Sequence, residues 1–490
     1  MDKIIGRKNE KEKLTKLQNS KHSEFLAIYG RRRVGKTYLI RNFFLNKGIY
    51  FELIGQSDAG YKTQLNNFSR SLDKTFNNIP VPIKKPKTWN EALFLLTSLI
   101  RSVKKNKKII LFFDEIPWLA TKKSGFIQAL DYEWNSEWSQ IDNLILIVCG
   151  SAASWMLDNI INAKGGLHNR ITSKLNLLPF NLYETAHYLK SKDIHLNQIQ
   201  LLDLYMVMGG VPLYLNQIEK GQSSSQSINS ICFKKDGLLY DEFNNVFRSL
   251  FNNSELHIKI IKEIVKNANK ITRDTLLSNL NLKSGGLIKK KISELKESGF
   301  IDIVVPYGNK KKEYVIKVID EYTLFYLYWI DSVKKKNMGN SINYWLKNIK
   351  APQYNSWTGL AYEAICSKHI NNILRKLQVD DLATGIGGWR FIPKKGSPSS
   401  GAQIDLIIDR IDDAINICEI KYSKNEFAIT KDYGKKLVKK LEIFEEKTRT
   451  KKQIFLTMIT TFGVKKNIWA EDLISSEVVL DDLFSFTPNS

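Results

Sequence analysis

Gly30, Gly35, Lys36 and Thr37 stand in the spacing Gly-x-x-x-x-Gly-Lys-Thr, directly behind the apolar run Phe25 to Tyr29 and ahead of an amphipathic helix. Glycines at those positions let backbone N–H groups turn inward around phosphate oxygens, and the following helix adds the positive end of its dipole. In this context Lys36 is placed to reach the β and γ phosphates of a nucleotide and the Thr37 hydroxyl to bind its Mg²⁺. The whole stretch Gly30, Arg31, Arg32, Arg33, Val34, Gly35, Lys36, Thr37, Tyr38 is the expected binding loop, with ATP and Mg²⁺ as cofactors. A second run, "KKIILFFDEIPWLA", reads as a strand buried on both faces and ends in Asp114-Glu115. Asp114 is expected to hold the Mg²⁺ and Glu115 to polarise the attacking water. A third apolar run ends in "CGSAAS". Ser151 there either senses the γ-phosphate or caps a helix.

A different set of chemical groups lies near the other end. Glu419 and Lys421 close the strand-like segment "INICEIKYSK", Asp405 sits in the apolar segment before it, and Glu363 lies close to the apolar face of an upstream helical segment. Residues 419 and 421 alternate by two, so on a strand they project to the same face. On its own "INICEIKYSK" reads as a strand with a charged rim; Asp405 and Glu363 in this order bring in the alternative of a metal-dependent centre. The order of elements is helix (Glu363), strand, strand (Asp405), strand (Glu419, Lys421), basic helix, strand.

The elements that must position these groups are too many for one core. The chain has 490 residues, 43% of them hydrophobic and 11% aromatic, so it is globular and divided into three or four domains. Its formal net charge is +24, which points to a polyanionic partner, DNA before an anionic membrane surface. A lysine-rich composition on solvated faces is the plainer source of the same excess. The four cysteines are far apart and form no CxxC pair, as in a reduced protein without a zinc site. No apolar run approaches the ~20 residues of a membrane span, and the first residues lack a signal-peptide core, so a cytoplasmic location is expected. Between the two chemical centres, "ITRDTLLSNLNLKSGGLIKKKISELKESGFIDIVVPYGNKKKEYVIKV" gives helix, turn, helix and hairpin, the order of a winged helix. Lys289, Lys290 and Lys291 on its second helix and Lys310, Lys311 and Lys312 at the hairpin tip are the expected phosphate contacts. No array suited to reading base edges accompanies them, so weakly specific binding is expected, with a structural or protein-contacting role as the other reading.

The first motifs resemble those of P-loop ATPases of the AAA+ and STAND type, and more closely a prokaryotic ATPase family that begins "GRxxE" and carries "GRRRVGKT", "DE", "GS" and "GGxPxYL". Here "MGGVPLYL" supplies the last of these. The resemblance implies a helical lid in which Pro212 contacts the nucleotide. It also makes Arg170 an arginine finger or phosphate sensor, although Asn169 stands where the family commonly has Gly. The last segment resembles the PD-(D/E)XK nuclease core through "GAQIDLII" and "EIKYS", with Ile-Asp in place of Pro-Asp. That resemblance implies a Mg²⁺ site of Asp405, Glu419 and Glu363, with Lys421 orienting or deprotonating water.

The expected fold is therefore α/β and multidomain: a RecA/AAA-type parallel sheet (residues 1–165), a helical lid (166–250), a winged helix with an aromatic helix (251–345), and an α/β/α restriction-endonuclease-like domain (346–490). The expected activity is ATP hydrolysis coupled to DNA binding and nuclease control, with a homo-oligomer formed through the ATPase domain. A STAND-like switch that binds DNA or protein without cutting is the alternative.

Overall fold

The apolar runs before Gly30 and before Asp114 become strands of one parallel sheet. The computed structural model describes residues 4–76, 85–102, 107–162, 167, 169–251, 253–283, 285–310, 313–335, 343–393 and 400–486. These divide into two compact units, one running up to Pro179 with Leu250 and Phe251, the other comprising Phe180–Ser249 and the residues from Asn253 onward.

In the first unit, β1 (Glu24–Tyr29), β2 (Ile49–Ile54), β3 (Ile109–Asp114), β4 (Leu144–Gly150) and β5 (Ser173–Asn176) pair in the order β2-β3-β4-β1-β5. Every residue of β3 and β4 is buried, as parallel strands covered on both faces require. One face packs Phe51, Phe68, Trp89, Phe113 and Trp138; the other packs Leu26, Ile28, Ile110, Phe112 and Ile147 against α1 (Lys8–Asn19) and α2 (Lys36–Phe44). The sheet runs past the boundary expected at residue 165, because β5 pairs with β1 from Leu26↔Ser173 to Tyr29↔Asn176. Four residues with a single buried side chain carry no strand signal of their own; pairing to β1 makes the strand.

The second unit begins with the lid segment. There α3 (Gln198–Met208) stops at Gly209-Gly210, and α4 (Pro212–Leu215) restarts with proline at its first position. Both glycines are required by close approach. Gly209 has φ +57°, and a Cβ on it would lie 2.7 Å from Glu321 Oε2; a Cβ on Gly210 would collide with the Phe180 carbonyl.

Next come α5 (Glu255–Lys266), β6 (Ile271–Thr272), α6 (Arg273–Asn279), α7 (Gly286–Glu297), β7 (Ile301–Val304) and β8 (Val315–Val318), with a small antiparallel sheet in the order β6-β8-β7. Thr272 caps α6 by accepting from Thr275 N at 3.2 Å. Ile288, Ile292 and Leu295 bury the inner face of α7, while Leu287 is 63% exposed: it sits in the first turn, beside Gly285 and Gly286.

The aromatic helix α8 (Glu321–Phe325) leads to α9 (Pro352–Lys368). After them β9 (Ala383–Phe391), β10 (Ala402–Arg410), β11 (Ala414–Lys421), β12 (Gln453–Thr460) and β13 (Ser476–Val478) form a mixed sheet, order β13-β12-β11-β10-β9. The β9-β10-β11 pairs are antiparallel and the β11-β12-β13 pairs parallel. The helix α10 (Lys431–Thr448) makes the crossover from β11 to β12, as a parallel pair demands. The small sheet is fastened to this mixed sheet: Tyr307 N donates to Gly388 O on β9 at 2.8 Å, and the Tyr307 ring lies 5.7 Å from that of Phe444.

His369, just past α9, is fully enclosed. Its Nδ1 meets Ile365 O at 2.9 Å and its Nε2 accepts from Leu182 N at 3.1 Å. Burial pushes its pKa down to about 4, against about 6.5 in the unfolded chain. The depressed folded value means a stabilising contribution that is complete above about pH 6.5 and is lost as pH falls towards 4. In calorimetric melts the transition of this unit should weaken by up to ~3 kcal/mol across that window, and His369→Gln should flatten the dependence. Parallel pH profiles of the two proteins would sink this assignment.

Candidate nucleotide site and acidic centre

The parallel pairing of β1 with β4 and of β4 with β3 brings the ends of three strands together. Tyr29 stands opposite Gly150, so the loop after β1 and Ser151 after β4 emerge side by side, with Asp114 closing β3 beside them. Gly30 (φ +134°) opens the loop where a Cβ would lie 2.3 Å from Leu177 O, and Gly35 (φ +92°) starts α2; both conformations favour glycine. Lys36 folds back over the loop and donates to Gly30 O and Arg31 O, each at 2.9 Å. Thr37 Oγ1 donates to Asp114 Oδ2 at 2.6 Å. The two groups expected to share a metal are thus already in contact.

Glu115 adopts a left-handed conformation (φ 48°) that is uncommon for a residue with a side chain. The turn sends its carboxylate to Ser151, which donates through Oγ at 2.7 and 2.8 Å and through its backbone N at 3.2 Å. Ser151 therefore grips the glutamate rather than capping a helix; Ala152, itself without a side-chain cap, precedes the short helix Ala153–Met156. Arg7 was absent from the expected set. From a left-handed turn (φ 57°) it donates to Val34 O at 3.1 Å inside the loop and to Leu178 O at 2.7 Å, and it pairs with Glu10. The "GRxxE" spacing of Gly6, Arg7 and Glu10 was its sequence signal. Arg31 and Val34 are buried, Arg32 is exposed and Tyr38 is 44% exposed. Arg170 lies on an exposed turn, and Pro212 belongs to the second unit.

In that second unit, antiparallel pairing sets Leu406 opposite Cys418, so Asp405 and Glu419 sit on neighbouring strands. Ile420 N donates to Asp405 Oδ2 at 3.2 Å. Burial, then the fields of Glu363 and Glu419, push Asp405 up to about 6. Glu419 is buried. Burial opposes its ionisation, but Lys421 and Lys440 outweigh it and hold its pKa below the usual value. Lys421 Nζ lies 2.9 Å from Glu419 Oε1 and Lys440 Nζ 2.5 Å from Oε2. Tyr433 Oη donates to Oε1 at 2.8 Å. Tyr433 and Lys440, seven residues apart on α10, share one helix face, and they too were absent from the expected set.

Glu363, on α9, turns to Lys270 at 3.2 Å. Each outer carboxylate is thus matched by an ammonium, while both exert their fields on Asp405 between them. Among the described residues no group of three or more His, Cys, Asp and Glu is arranged to hold a metal ion.

Of the lysines expected to meet phosphate, Lys289, Lys290 and Lys310 are exposed. Lys291 is bound to Glu294 at 3.0 Å, and Glu294 also meets the buried His257 at 2.7 Å. Lys311 and Lys312 lie outside the described residues. No helix among the described residues is long and apolar enough to cross a membrane, and all four cysteines are buried and unbridged.

A parallel five-stranded sheet with a glycine-rich loop after β1 and an acidic pair after β3 is an arrangement like that of P-loop ATPases. Residues 5–218 match the family of ATPase domains found predominantly in Archaea, and residues 326–434 match a family described as "Archaea bacterial proteins of unknown function". The chain is 24% identical over 412 residues to an uncharacterized protein of Methanocaldococcus jannaschii, spanning 82% of this chain and 84% of that protein. A 46-residue stretch, 9% of this chain, is 47% identical to an uncharacterized ATP-binding protein of the same organism, of which it covers 78%. Among solved structures, a Walker-type ATPase of Pyrococcus abyssi is 18% identical, with a TM-score of 0.47 over 66% of this chain and 96% of that one.

Lys36→Ala is expected to abolish ATP binding. Glu115→Gln should retain it while lowering turnover about a hundredfold or more, and Ser151→Ala should lower turnover about tenfold at unchanged affinity. Fluorescent-nucleotide titration with phosphate-release kinetics reads both. Wild-type turnover in Glu115→Gln would remove Glu115 from the chemistry.

Proposed function

We propose that the chain is an ATP-binding and ATP-hydrolysing, DNA-binding protein whose nucleotide state regulates a magnesium-dependent nuclease of PD-(D/E)XK type in its C-terminal part. The observation that carries the nuclease reading is the set Asp405, Glu419 and Lys421 on adjacent strands, in a helix–strand–strand–strand–helix–strand frame. The buried Glu419 and the half-buried Asp405 lie within each other's field, which is unfavourable without a cation, and Asp405 Oδ1 accepts no hydrogen bond among the described residues. These hard oxygen donors suit Mg²⁺. Asp405 and Glu419 would hold the ion, and Glu363 would join on leaving Lys270. When bound, the ion polarises a phosphoryl oxygen as a Lewis acid. Lys421 stands beside Glu419; burial lowers its pKa but the charges of Glu419 and Asp405 outweigh that and raise it, so as an ammonium it can orient the attacking water and stabilise negative charge. Tyr433 and Lys440 fix the Glu419 rotamer.

At the nucleotide site Lys36 would take the β and γ phosphates, Thr37 and Asp114 the Mg²⁺, and Glu115 the water, with Ser151 positioning Glu115. Arg170 and Pro212 are assigned as further nucleotide contacts, and self-association through the ATPase domain, on the resemblance alone. The helices α6 and α7 with the β7–β8 hairpin would act as a winged helix, with exposed Lys289, Lys290 and Lys310 on DNA phosphates; the net charge of +24 supports this partner. Such contacts favour weakly specific binding.

A second reading, an ATP switch that binds DNA or protein without cutting, is favoured by the pairing of Glu363 with Lys270 and of Glu419 with Lys421 and Lys440. Cleavage assays over single- and double-stranded DNA and RNA, in Mg²⁺ or Mn²⁺ and with or without ATP, separate the two. Under the leading reading wild type cuts, Glu419→Ala loses at least about a hundredfold, and Lys36→Ala loses ATP control. Loss in Glu419→Ala alone would mean cutting independent of ATP. No cutting under any condition, with Asp405→Ala matching wild type throughout, would establish the second reading.

A further inference from the structure

Two lysines of the small sheet face the acidic centre of the mixed sheet. Lys270, immediately before β6, bonds Glu363 Oε2 at 3.2 Å. Lys317, on β8, shares with it a cavity lined also by Asn269, Asp302, Glu363 and Ser367. Lys317 forms no ion pair among the described residues. It lies in the fields of Glu363, Asp405 and Asp302, with Lys270 beside it repelling its charge. Lys270 thus meets a carboxylate of helix α9, and Lys317 lies in the field of Asp405 on β10. The hairpin that carries Lys317 is tied down at Tyr307 N to Gly388 O and at the ring of Phe444. A cation fixed near a dication site repels the dication and occupies its ligands, and in a partly buried setting that repulsion is weakly screened.

We infer that Lys270 and Lys317 determine the affinity of the acidic centre for divalent cations, acting as a tethered competitor: Lys270 occupies Glu363, and Lys317 lowers the negative potential at Asp405. Metal entry then requires the small sheet to withdraw its two ammonium groups. The inference rests on the reading of Asp405 and Glu419 as cation ligands and supplies the step at which that site is controlled.

The test is Mn²⁺ binding to the full-length, nucleotide-free protein, followed by the electron paramagnetic resonance signal of free Mn²⁺, so that no catalysis is needed. The Lys270→Ala/Lys317→Ala double variant is expected to bind Mn²⁺ about tenfold tighter than wild type at one site, and adding Asp405→Asn should abolish that site. Lys270→Arg/Lys317→Arg keeps the charge and should bind as wild type does, which separates charge from fold. Equal or weaker binding in the alanine variant would overturn the competitor role; if Asp405→Asn then still removes one Mn²⁺, the cation site itself stands. No effect of Asp405→Asn in any background would overturn both.

Discussion

A carboxylate at the end of an apolar strand is stable only when something donates to it, and both centres of this chain are built around that requirement. Asp114 ends a strand with no exposed residue. Its two oxygens are taken by Thr37 Oγ1 and by the Glu115 N–H, so the loop after β1 and the turn at Glu115 are located by one side chain. Glu419 sits in β11, buried at every position but the last, and is met by two ammonium groups and a phenol. An unpaired charge at either place would cost several kcal/mol. The compensation is therefore structural as well as chemical: it fixes rotamers, ties α2 to β3, and ties α10 to β11.

Within the second unit, the same logic links elements far apart in sequence. Glu321 on α8 is buried, receives Lys368 at 2.7 and 2.8 Å, and crowds Gly209 at the end of α3. His369, one residue on, holds the amide of Leu182. Both contacts emanate from the C-terminal end of α9, the helix that carries Glu363. The glycine pair thus has a packing reason in addition to the helix stop and restart it marks.

What could be seen in the sequence follows from how local the signals are. The phosphate loop and Asp114-Glu115 are contiguous motifs at the ends of long apolar runs, and pairing places their groups in contact. β11 and Asp405 were visible for the same reason. β5 was not, because its strand character comes from β1. Tyr433 and Lys440 read as part of a basic helix, since only the crossover returns that helix face to Glu419. Lys270 and Lys317 could not be assigned to the acidic centre, because short alternating strands say which face a lysine takes but not which sheet that face will meet. The pairing of Glu363 with Lys270 was hidden for the same reason, since no local pattern announces it.

The bond from Tyr307 N to Gly388 O has a consequence for solubility. β9 is the outermost strand of its sheet and pairs on one side only, with β10; an open edge of this kind is a template for adding strands from other molecules. The hairpin loop occupies part of that edge, and Val305 O packs so near Gly387 that a Cβ there would lie 3.0 Å from it. Any movement that lifts the small sheet from the acidic centre therefore also unmasks an adhesive strand margin, and so carries with it a hazard of self-association.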